Sequence, residues 1–183
     1  MNDFIDNSED FNEDFAAQPA DTTHLMHIVA LAGEYCAVLA DAPSMEKENF
    51  VAAMLRLLPS LYLEFGSTEP QGNDPSFFLT QYLEEDDYLS VSRGIAALLG
   101  EDDSYLETIE EDMKYSDTPI GASVSEGLTD IYQDLFNFIT EVRESEGLQL
   151  AEAYDACHEN FVMYWSATLC SVLRPLNNIR YGK

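Results

Sequence analysis

The chain has 183 residues, 46% of them hydrophobic, enough for one domain that buries roughly 70% of its unfolded surface and needs no disulfide or metal to hold its core. Its 35 acids against 8 bases give a formal net charge of -27 and a pI near 4.1, a field that repels phosphate backbones and anionic membrane surfaces. No nucleic acid and no membrane is therefore expected among the partners, and a cationic protein is; the oligomeric state stays open.

Residues 1–20 carry Asp3, Asp6, Glu9 and Asp10 with no base, the opposite of a signal peptide, and read as an acidic disordered tail despite Phe4, Ile5, Phe11 and Phe15. Residues 21–183 read as one helical domain, and no apolar run approaches the 18 residues of a membrane span. A cytoplasmic protein is expected, with Cys36, Cys157 and Cys170 as reduced core thiols because all three fall in apolar helical patterns.

From a cap at Thr22 or Thr23, the residues Leu25, Ile28, Val29, Ala32, Cys36 and Leu39 predict a first helix that ends before Pro43. His24 and His27 lie on its first turn, and no further ligand follows at the spacing of a metal motif. Ser44 is the expected cap of a second helix through Phe65, kinked or split by Pro59. Gly66 to Pro75 has loop chemistry, and a third helix opens on the acids of 84–87 and stops at Gly100. Acids crowd every turn of Glu101–Asp117, which reads as a short helix and then a loop.

A central helix follows, capped by Asp117 or Thr118 with Pro119 at its first position. Ile120, Val124, Leu128, Ile131, Leu135, Phe138 and Val142 form its core stripe, and Glu126, Asp130, Asp134, Asn137 and Glu141 an opposite acidic face. A last helix from about Leu148 bears Leu150, Tyr154, Cys157, Phe161, Trp165, Thr168, Val172, Leu176 and Ile179, with a bend at Pro175. No fixed repeat and no strand-like alternation appears. The expected fold is all-α, a single helical bundle of five or six helices with no sheet.

The run Gly100–Asp103, Glu110–Ile120 and Asp130–Leu135, with the late residues Cys170, Leu173, Arg174, Leu176, Asn177, Arg180 and Tyr181, resembles a family of bacterial proteins known only as a domain of unknown function. The likeness covers roughly Thr23 to Tyr181. It implies a cytoplasmic helical protein and carries no activity.

Glu107 and Glu110, then Glu126 and Asp130, are similar to the paired acidic motifs with which all-α nucleotide pyrophosphohydrolases of the MazG kind hold Mg²⁺. Gly127 stands where that pattern asks for an acid. No nucleophile–base arrangement and no Gly-rich phosphate loop is present, so no catalytic residue and no cofactor is expected. The chain reads instead as an interaction module for a basic partner, with imitation of nucleic acid as one form of it. Its expected contact residues are Lys114, Tyr115, Asp117, Glu126, Asp130, Asp134, Arg174 and Arg180. One of the two arginines is expected to reach an acid of Glu101–Asp117.

Overall fold

The structure is a computed structural model that describes residues 22–72, 74, 76–107 and 120–182, without the side chains of 107 and 120. The tail expected at 1–20 and residues 108–119 lie outside the described residues. Among the described residues six α-helices and one two-stranded ribbon make up the fold: α1 (Thr22–Asp41), α2 (Lys47–Ser67), α3 (Glu85–Leu99), β1 (Ser104–Glu107), β2 (Ile120–Ser123), α4 (Val124–Glu144), α5 (Leu150–Asn160) and α6 (Ser166–Tyr181). The all-α bundle is as expected, and the ribbon is the departure from it.

α4 is the hub, packing against α1, α3, α5 and α6. Val124, Leu128, Ile131, Leu135 and Phe138 are fully buried on it, as the apolar stripe requires. α1 supplies Leu25, Ile28, Ala32, Tyr35 and Leu39, and the buried Tyr35 hydroxyl donates to the Leu128 carbonyl at 2.8 Å. α1 also corrects the reading that no stretch is apolar enough to span a membrane. Thr22–Ser44 reaches a mean hydropathy of 1.4, because Ala, Val, Ile and Leu dominate it and its few charged and polar residues are dispersed. Of that stretch 44% is buried, with Leu25, Ile28, Ala32 and Leu39 in the core of the bundle.

The start of the central helix is corrected. Ile120 to Ser123 is strand, so Pro119 is not the first helical residue and Ile120 is not on the helical stripe. Ser123 is the cap, its side chain accepting the Glu126 N–H. The buried Asp103 adds two bonds at 2.8 Å, from the Ser125 N–H and the Ser125 hydroxyl. Three acceptors aimed at the first turn thus outweigh the preference of proline for a helix start.

Glu101–Asp117 is corrected as well, as far as it is described. A short 3-10 turn, Gly100–Asp103, leads into β1, which pairs antiparallel with β2 in the register Ser104 with Ser123 and Glu107 with Ile120. The three consecutive acids are confined to the 3-10 turn, and the ribbon, with Glu107 as its one acid, satisfies its backbone across the pair.

Pro59 and Pro175 lie inside α2 and α6 without splitting either helix. Glu46, not Ser44, is the cap residue of α2. α3 stops at Gly100, whose φ of 63° is the left-handed conformation glycine tolerates. Cys36 and Cys157 are buried, but Cys170 is exposed, one residue past the fully buried Leu169.

Between α5 and α6 the helix widens into a π turn, Phe161–Trp165. The buried positions Cys157, Phe161, Trp165 and Leu169 recur in three steps of four. On a regular α-helix each such step turns the stripe by about 40°, so three would carry it off the core by about 120°. The wider turn absorbs that drift and keeps Phe161 and Trp165 against Phe65 of α2, at ring separations of 5.5 and 4.8 Å.

Candidate functional site

The acidic face of α4 is divided by what packs on it. Asn137 and Glu141, read from the sequence as part of that face, are only 4% and 7% exposed. The connector from α2 to α3 crosses them. Its first part is tied to α5, where the Asp155 carboxylate accepts from the N–H groups of Gln71 and Gly72 at 2.8 and 2.7 Å, and the Tyr154 hydroxyl donates to the Thr68 carbonyl. Its last part lies on α4. Asn137 Oδ1 accepts from the N–H groups of Tyr82 and Leu83 at 2.9 and 3.0 Å, and Glu141 Oε2 from the Thr80 N–H and the Tyr82 hydroxyl at 3.3 and 3.2 Å. These two side chains replace the backbone partners an irregular segment lacks. They are structural, and the expected acidic face shrinks to Glu126, Asp130 and Asp134.

Those three remain in a row at steps of four, with Glu126 and Asp130 exposed and Asp134 half-buried. Asp130 and Asp134, with Gln133, form one wall of a groove of about 410 Å³, and Gln81 of the connector borders it. The opposite wall is Asn160 at the end of α5, Tyr164 and Trp165 of the π turn, and Thr168 of α6. No Lys, Arg or His lines it. Tyr88 of α3 donates to Asp130 Oδ1 at 2.7 Å, and Asn160 Nδ2 donates to Asp134 Oδ1 at 2.9 Å.

Burial holds the Asp134 carboxyl up at about 6, against the lowering effect of the Asn160 hydrogen bond and with a further push from Asp130. Beneath it, burial and then the Asp134 charge keep the Cys157 thiol protonated. Trp165 is 1% exposed, and its indole N–H has no acceptor among the described residues. Buried indole N–H groups ordinarily find one.

The other expected contact residues lie elsewhere. Lys114, Tyr115, Asp117 and Glu110 are outside the described residues, as is the side chain of Glu107. Arg174 and Arg180 are exposed on α6, and Arg180 is about 18 Å along the helix from Thr168. Arg180 lines a second cavity of about 240 Å³ with Lys47, Glu48, Val51, Asp102 and Ile179. The expected pairing of an arginine with the 101–117 segment is not seen among the described residues. Asp102 is taken at 2.6 Å by Lys47, which also donates to the Leu99 carbonyl at the end of α3, where positive charge is favoured.

The pyrophosphohydrolase likeness fails at Gly127. A Cβ there would come within 2.6 Å of Val172 Cγ1 and 3.3 Å of Thr168 Cγ2, so the position that pattern gives to an acid is where α4 touches α6. No group of three His, Cys, Asp or Glu side chains able to hold a metal ion occurs among the described residues. His24 and His27 instead share the Glu64 carboxylate at 3.4 and 3.6 Å, and His24 Nε2 lies 2.5 Å from the Thr68 hydroxyl.

The groove residues Asn160, Tyr164 and Trp165 were not among the expected contacts, because Trp165 and its neighbours read as helix–helix core. Phe161 and Trp165 are core, whereas Tyr164 is 66% exposed. The signal that separates them is the phase of the four-residue steps.

Comparison with known proteins gives a family and a fold. A family described as a domain of unknown function, DUF5063, matches residues 20–182. The crystal structure of protein BF1032 from Bacteroides fragilis is similar at a TM-score of 0.74 and 29% identity, over 87% of this chain and 94% of that one. No curated protein matches.

Proposed function

Since the chain belongs to the DUF5063 family, which lends it no activity, we propose from geometry alone that it is an interaction module docking a cationic protein partner on the open half of the α4 acidic face. The observation that carries this reading is the groove beside Asp130 and Asp134, lined by two carboxylates and by no base. Glu126 extends the same row into solvent. Carboxylates this unopposed steer a basic partner and raise its association rate, and they discriminate against acidic ones. A protein whose basic surface otherwise holds nucleic acid meets the same description. The protein is placed in the cytoplasm on this reading, with no cofactor and no catalytic residue.

The competing explanation of any binding is the undirected field of a chain with net charge -27. Binding of a Lys/Arg-rich peptide is therefore measured at low and high salt for three chains: the native one, the variant Glu126→Gln/Asp130→Asn/Asp134→Asn, and a control neutralising the exposed Asp41, Glu48 and Glu101. The expected outcome is that the first variant loses most of the affinity while the control keeps it. Equal losses would reduce the effect to net charge and end the proposal.

A further inference from the structure

We infer that the groove between α4 and the π turn is an anchor site for one arginine residue of the partner, taking its guanidinium on Asp130 and Asp134 and a neighbouring peptide carbonyl on the indole N–H of Trp165. The inference rests on the proposed acidic docking face and names the chemistry that face recognises.

Each carboxylate holds one protein donor on Oδ1, Tyr88 on Asp130 and Asn160 on Asp134. The second oxygen of each has no donor among the described residues. The two residues are four apart on α4, side by side on one face. A guanidinium presents several coplanar N–H donors and can serve two such oxygens together, which a compact ammonium does less well. Tyr164 places an exposed ring on the facing wall, and planar guanidinium stacks on aromatic faces. The groove is open and, at about 410 Å³, has room for one side chain and its neighbouring peptide group.

Trp165 supplies the independent observation. It lines the groove and carries the buried donor that no described residue satisfies. A cation alone leaves that donor unpaired, whereas an arginine within a peptide brings a carbonyl a few bonds from its guanidinium. The π turn sets Tyr164 outward and Trp165 inward at adjacent positions, which gives the wall both a stacking surface and a donor. The raised pKa of Asp134 agrees with a buried carboxyl that has no countercharge among the described residues.

Trp165 is the single tryptophan, so its emission reports on this site alone. The full chain is titrated at neutral pH and fixed ionic strength with N-acetyl-arginine N-methylamide, with the neutral isostere N-acetyl-citrulline N-methylamide, with the lysine analogue, and with butylguanidinium, which has no carbonyl. The arginine probe is expected to shift the emission saturably, with the lysine and butylguanidinium probes weaker by about tenfold and citrulline without effect. Asp134→Asn, which keeps the acceptor for Asn160, is expected to weaken the arginine probe by about tenfold or more, the scale of a charge-assisted hydrogen bond. Tyr164→Ala, at an exposed position that leaves folding intact, is expected to weaken it severalfold.

Equal responses to arginine and citrulline would overturn the anchor, as would arginine and butylguanidinium binding alike. A basic peptide that binds in a Glu126- and Asp130-dependent way while Trp165 stays silent and Asp134→Asn is neutral would remove the anchor and leave the docking face standing. Failure of basic peptides and probes alike would remove both.

Discussion

At Asp134 burial, aided by the charge of Asp130, opposes the hydrogen bond from Asn160 over one proton, and burial prevails, leaving the carboxyl at about 6 where 3.8 is ordinary. The folded state then holds this proton more tightly than the unfolded one. Between about pH 4 and pH 6 folding takes up a proton, so this group's contribution to stability falls as pH rises and stays low above pH 6. Asp134→Asn keeps an oxygen for the Asn160 Nδ2 donor and removes the charge. It is expected to stabilise the fold by about 2–3 kcal/mol near pH 8, with the gain fading below about pH 4. Urea unfolding of both chains at the two pH values checks this, and a gain of the same size at both would mean that the charge of Asp134 is not its origin. A stabilising loss of a charge fits a site whose carboxylate is kept for a partner rather than for the fold.

At Gly127 α4 crosses α6 closely. Gly127 leaves 2.6 Å between the place of its absent Cβ and Val172 Cγ1, and Val172 is a buried β-branched side chain with little freedom to turn aside. Gly127→Ala would gain about 1 kcal/mol of helix propensity and lose about 1–3 kcal/mol to overpacking, so net destabilisation is expected. Combined with Val172→Ala the clash is gone, and the double variant should be more stable than the sum of the two single changes allows. A double-mutant cycle by chemical denaturation reads this directly, and additivity would mean that the helices separate at no cost. A glycine within a helical pattern is visible in the sequence as an exception; what it makes room for is not. The same holds for Asn137 and Glu141, which look like solvated positions on a helical wheel. They are buried because the connector 77–84 needs acceptors for Thr80, Tyr82 and Leu83, and that need is set by a path no local pattern encodes.

For the molecule as a whole, charge of one sign works against compaction. Among the described residues the ion pairs Lys47–Asp102, Arg56–Glu34 and Arg143–Glu144 engage three of the six bases and sit at the surface, where water weakens them. Repulsion among the acids is therefore the larger effect, and screening it should help the fold. Raising NaCl from about 20 mM, where the Debye length is near 20 Å, to about 500 mM, where it is near 4 Å, is expected to raise the melting temperature. A melting temperature that falls with salt would show that the few ion pairs outweigh the field. Docking of the proposed basic partner would respond to salt in the opposite direction, since the same screening weakens that attraction.

The helical class, the stripes of α1, α4 and the last helix, the glycine stop at 100 and the excess of acid are legible from the residues alone. These follow from periodicity, caps and composition, which act over a few residues. Even the corrected start of α4 was written there, since Ser123 and Glu126 have the spacing of a capping box. Tertiary structure alone decided which acids stay open. Asn137 and Glu141 are spent on the connector and Asp103 on the first turn of α4, while one oxygen each of Asp130 and Asp134 has no donor among the described residues. It also decided that Tyr164 and Trp165 face Asp134, because a π turn rotates the last helix by an amount that depends on packing against Phe65. A wheel gives each residue a direction, but burial, partners and the value of a buried charge come from what other segments lay across it.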